Sequence, residues 1–68
     1  MKNTIKVERA KLNITQTDLA EEIKVSKQTI HSIETGRFVP STIIALKMAR
    51  FFKVSVESLF ELEDDDSR

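Results

Sequence analysis

Along residues 27–35 a helical period of about 100° per residue sets Ile30 and Ile33 on one side and Gln28, His31, Ser32 and Thr35 on the other. Lys27 stands at the N-terminal edge of this polar face and Thr29 flanks it. Solvated helix faces are more often filled with Glu and Lys pairs. This one is uncharged except at its edges, and it is rich in groups that hydrogen-bond in both directions. Such a set is suited to recognition. A carboxamide such as that of Gln28 can bond the N6 and N7 of an adenine together, an ammonium such as that of Lys27 can reach guanine O6 and N7, and the hydroxyl of Ser32 can serve several bases. Taken alone, the same side chains read more simply as a solvated surface.

The sequence offers little material for catalysis. His31 is the only histidine and there is no cysteine, so neither a thiolate metal site nor a histidine-based triad can be assembled. There is no Gly-rich phosphate loop. The run Asp64-Asp65-Asp66 reads as a solvated tail rather than a cation site. We therefore expect no enzyme activity, no metal, no cofactor and no small-molecule ligand.

The polar face needs elements to hold it. Thr15 and Asp18 form a Thr-x-x-acid pattern that opens a helix over residues 16–24, with Leu19, Ala20 and Ile23 on its apolar side. Ala20 suits a place where a neighbouring helix passes close. Residues 24–26 make a turn, Ser26 caps the helix that carries the polar face, and Gly36 ends it. Upstream, residues 1–12 are expected to form a first helix with Ile5, Val7, Ala10 and Leu12 as its apolar members, closed by Asn13 in the left-handed conformation. Downstream, Ser41 caps a fourth helix to about residue 52 or 53. Its stripe of Ile44, Ala45, Met48, Ala49 and Phe52 is widened by Ile43, Leu46 and Phe51, which suggests a central helix touching the core on more than one side. Ser55 caps a short fifth helix over residues 56–62, with Val56, Leu59 and Phe60 facing in.

Sixty-eight residues make one domain, near the lower size at which a chain buries enough surface to fold alone. One Gly, one Pro and an abundance of Ile, Leu, Ala, Lys and Glu favour an all-α fold. No apolar run approaches the ~20 residues of a membrane span, and no signal-peptide pattern opens the chain, so we expect a cytoplasmic protein with no membrane partner. The formal net charge of zero hides an asymmetry. Residues 1–60 carry ten Lys/Arg against six Asp/Glu, whereas residues 61–68 carry five acids and one Arg. Beyond about 8–10 Å salt screens such charges from each other, so the local sign counts for more than the total. The domain is placed at residues 1–62 and an acidic, disordered tail at 63–68.

Five short helices with a capped turn between the second and third resemble the phage-repressor, or Cro/C1-type, helix-turn-helix family. The matching residues are Gln16, Ala20, Ile30 and Ile33, the run Ser26-Lys27-Gln28-Thr29-Ile30, and Ile33-Glu34-Thr35-Gly36-Arg37-Phe38 with Pro40-Ser41 beyond it. Leu46-Lys47-Met48-Ala49 and Val54-Ser55-Val56-Glu57-Ser58-Leu59-Phe60 extend the match to about residues 3–62. The family has Gly at the turn between the two helices, where φ is positive. Lys24 stands there in this chain, at a cost of about 1 kcal/mol.

The resemblance implies a compact five-helix, lambda-repressor-like domain whose third helix lies in the major groove of double-stranded DNA. By the same likeness Lys27, Gln28 and Ser32 are the base contacts, and Thr29 and His31 are further candidates for bases or phosphates. Gln16, Thr35, Arg37, Ser41 and Thr42 would clamp the phosphates. Arg9 and Glu34 would be a structural ion pair between helices one and three. A single small domain reads few base pairs, so a homodimer on a palindromic operator is expected, acting as a transcriptional repressor. Phe51, Val54, Phe60 and Leu62 are the interface candidates, with Phe38 and Val39 behind them. The alternative is a protein-interaction module such as an antitoxin, built on the same fold.

Overall fold

The structure is a computed structural model and describes residues 1–67. Its five helices are α1 (Ile5–Leu12), α2 (Gln16–Ile23), α3 (Lys27–Glu34), α4 (Thr42–Phe52) and α5 (Val56–Leu59). Two short strands, β1 (Lys2–Asn3) and β2 (Phe60–Glu61), pair antiparallel, with Lys2 opposite Glu61 and Asn3 opposite Phe60. The fold is all-α apart from this clasp.

The starts of α2, α3, α4 and α5 are each set by a side chain three residues away. Thr15 and Asp18 make a reciprocal capping box, with Asp18 N donating to Thr15 Oγ1 and Thr15 N donating to Asp18 Oδ2, both at 3.0 Å. Ser26, Ser41 and Ser55 accept from the amides of Thr29, Ile44 and Ser58. These satisfy backbone donors that a helix start leaves without intrahelical partners. At the opposite ends Asn13, Lys24 and Lys53 adopt left-handed conformations with φ of 56°, 65° and 59°.

The first helix begins at Ile5 rather than at the start of the chain. Asn3 accounts for this: its Oδ1 accepts from Ile5 N at 3.2 Å, and its Nδ2 donates to Ile33 O at 3.0 Å, at the end of α3. Thr4 N donates to Leu59 O at 2.9 Å, continuing the pairing of the two chain ends. The fifth helix correspondingly stops at Leu59, where Phe60 turns extended to join β2.

Ile5, Leu19, Ile23, Ile30, Ile33, Met48, Phe52, Leu59 and Phe60 form the core, with Ala20 at the close approach of α2 to its neighbours. Val7 and Leu12 face solvent, so α1 contributes only Ile5. In α4 the inward stripe is Met48, Ala49 and Phe52, flanked by half-buried Ile44, Ala45 and Phe51. Ile43 and Leu46 are 67% and 56% exposed, so α4 touches the core on one side and carries its excess apolar width outward.

Beyond Leu62, Asp64–Ser67 form a 3-10 turn, and Arg68 lies outside the described residues. The Glu63 and Asp66 carboxylates each lie 3.0 Å from the Met1 amino group. Their hydrogen bonds, Glu63 first and Asp66 second, raise its pKa.

Candidate nucleic-acid interface

The α2–turn–α3 unit rests on Ile23, Ile30 and Ile33, all buried, and reverses direction through Lys24 in the left-handed region. With Ile30 and Ile33 inward, Lys27, Gln28 and His31 are exposed, while Thr29 and Ser32 are half-buried at the flanks. The Thr29 and Ser26 hydroxyls lie 2.8 Å apart, so Thr29 is engaged with the helix cap.

The far end of α3 is anchored to α1. Arg9 grips Glu34 through two parallel hydrogen bonds, Nε to Oε2 at 2.7 Å and Nη2 to Oε1 at 3.1 Å, and its Nη1 donates to Ile14 O at 3.0 Å. The hydrogen bonds to Glu34 raise the Arg9 pKa against the opposing effect of burial. A bidentate fork of this kind fixes direction as well as distance.

Gln16, at the start of α2, joins this anchor to the polar face. Its Nε2 donates to Glu34 Oε1 at 3.3 Å and lies 3.4 Å from His31 Nδ1. Arg9, Glu34, Gln16 and His31 thus form one chain across three helices, ending on the exposed side of α3. The spacing of Gln16 and His31 along the sequence gave no sign of this link. As placed, the Gln16 Nε2 lies between Glu34 Oε1 and His31 Nδ1, so a phosphate contact through it competes with these partners. Thr35 is similar: its single hydroxyl proton faces the carbonyls of His31 at 3.0 Å and Ser32 at 3.3 Å.

Beyond α3, Gly36 takes φ +79° and turns the chain back, and the amides of Arg37 and Phe38 both donate to Ser32 O, at 2.9 and 3.1 Å. Arg37 is exposed next to the polar face. The Ser41 hydroxyl is occupied as a cap, leaving the first amides of α4 at Thr42 and Ile43 without intrahelical partners. Among the four interface candidates, Leu62 is exposed, and Phe51 and Val54 are half-buried, with the Phe51 ring edge-on to Phe52 at 5.2 Å. Phe60 is only 8% exposed and belongs to the core, which leaves it little surface to offer a partner.

Among the described residues no three His, Cys, Asp or Glu side chains are grouped to hold a metal ion. No helix among the described residues is long and apolar enough to cross a membrane.

A buried two-helix unit presenting an exposed polar face is the architecture of a helix-turn-helix protein, and the comparisons agree. A family model described as a helix-turn-helix matches residues 5–59, and the chain belongs to this family, of Cro/C1 type. It is 50% identical over 66 residues to an uncharacterized HTH-type transcriptional regulator of Methanocaldococcus jannaschii, covering 97% of this chain and 100% of the relative. The uncharacterized HTH-type transcriptional regulator YgzD of Bacillus subtilis is 39% identical over 66 residues, again 97% and 100% of the two chains. A third such regulator, from Methanothermobacter thermautotrophicus, is 38% identical over 69 residues and matched along the full length of both.

Proposed function

We propose that this protein is a sequence-specific DNA-binding transcriptional regulator, a repressor that binds a palindromic operator as a homodimer. The observation that carries the reading is the exposed, nearly uncharged face of α3, whose C-terminal end is tied to α1 by the bidentate Arg9–Glu34 pair. Lys27, Gln28 and Ser32 read base edges, with His31 and Thr29 beside them. Arg37, the first amides of α4 at Thr42, and the Ser41 cap form one phosphate clamp. Gln16 and Thr35 join when their inward hydrogen bonds open. The relatives' shared description as transcriptional regulators supports this reading, and such a protein works in the cytoplasm, where the DNA is.

The homodimer is supported by the outward apolar surface. Ile43 and Leu46 on α4 and Val39 in the loop before it are exposed, and Val39 and Leu46 line a groove with Pro40, Ala45 and Val56. A two-fold pairing that serves a palindromic operator must set two copies of α3 on half-sites about 34 Å apart. The same surface would suit an unlike protein partner, which is the interaction-module reading.

Selection from a random duplex pool at about 150 mM salt separates the two. Specific readout enriches a palindrome, Gln28→Ala alters the base preference, and Arg37→Ala weakens all sites alike. Enrichment of no sequence would sink the regulator reading and favour the interaction module.

A further inference from the structure

Phe38 is 49% exposed and is not among the residues that line the groove beside α4. It forms one wall of a shallow concavity whose other members are Ser26, Gln28, Thr29 and Ser32, all on or capping α3. The placement is held by the backbone. Gly36 at φ +79° reverses the chain, and Ser32 O accepts from both Arg37 N and Phe38 N, so the loop is stapled to the helix beside Gln28. An aromatic ring left half in water at this point calls for an apolar contact. The major-groove edge of B-DNA carries one strong apolar group, the C5 methyl of thymine. If Gln28 bonds an adenine, the methyl of that pair's thymine faces the same groove, on the side of the base pair where Gln28 and Phe38 share one concavity.

We propose that Phe38 is a specificity-determining residue that packs on a thymine methyl, so that sequence is read by this ring together with the polar side chains of α3. The inference rests on the regulator reading above. It separates Phe38 from the dimer surface, to which it would otherwise be assigned as one more exposed apolar residue.

The test uses the enriched duplex from the selection, with each thymine replaced in turn by deoxyuridine, which removes the methyl and leaves pairing intact. Wild type should lose about fourfold in affinity at one thymine per half-site, the effect of one methyl-sized apolar group leaving contact. Phe38→Ala should bind the thymine and deoxyuridine duplexes equally, and Phe38→Leu should keep part of the difference. Because Phe38 is exposed, both variants should fold, which circular dichroism checks. Wild type indifferent to every replacement overturns the inference, as does a Phe38→Ala protein that remains as methyl-sensitive as wild type. Either result leaves the regulator reading standing, whereas failure to enrich any duplex removes both.

Discussion

Arg9 Nε donates to Glu34 Oε2 at 2.7 Å, between side chains only 15% and 6% exposed, and this contact ties the first helix to the end of the third. Removing one partner leaves a largely desolvated charge on the other. We expect Arg9→Ala and Glu34→Ala each to destabilise the fold by about 3 kcal/mol, measured by urea denaturation with circular dichroism. The double variant should cost less than the sum of the two. Additive losses would show that the pair is uncoupled. The Arg9 pKa is raised, so the stability it lends is present below its unfolded pKa and lost only as pH rises through the still higher folded one, far above neutrality.

Lys24 and Lys53 hold φ of 65° and 59°, where a side chain costs about 1–2 kcal/mol relative to the right-handed region. Glycine removes that cost but adds chain entropy to the unfolded state. Lys24→Gly and Lys53→Gly should each stabilise by a net of about 0.5–1 kcal/mol, raising the urea midpoint. Asn13→Gly should gain less, because asparagine tolerates this conformation. A lowered midpoint for Lys24→Gly would mean that its side chain makes a compensating contact.

Asn3 binds three elements: it caps α1 at Ile5 N, donates to Ile33 O in α3, and pairs opposite Phe60 in the strand clasp. Asn3→Ala removes the side-chain cap on Ile5 N and one of the two donors to the Ile33 carbonyl, which keeps Gly36 N, and should cost about 1 kcal/mol. Amide exchange should rise at Thr4 and Ile5 before it rises in α2. Exchange that rises equally everywhere would argue that the clasp is not a separate unit.

Leu46 lies on the exposed apolar side of α4 and outside the core. Leu46→Glu should therefore leave the helical circular dichroism intact while turning a wild-type dimer into a monomer in sedimentation velocity. Operator affinity should fall with it, because two half-sites then bind independently. A monomeric wild type would overturn the homodimer, and a dimeric Leu46→Glu would move the interface elsewhere.

The helices were legible in the sequence because their signals are local. Thr15, Ser26, Ser41 and Ser55 each cap an amide three residues away, and Ile30 and Ile33 define the inward side of α3 by spacing alone, which in turn defines the outward face of Lys27, Gln28 and His31. What could not be seen depends on contacts between distant segments. The clasp of Lys2–Asn3 with Phe60–Glu61 joins the two ends of the chain, and only a folded core brings them within hydrogen-bonding distance. The α4 stripe was too wide for periodicity to choose a side, and packing against α2 and α5 decided that Met48 turns in while Ile43 and Leu46 turn out. Gln16 and His31 met for the same reason, while Phe38 was brought beside the polar face of α3 by the turn at Gly36. Local chemistry determines where a helix starts and which residues share a face. Which face meets which neighbour is an outcome of burying all the apolar stripes at once, and only the tertiary structure settles it.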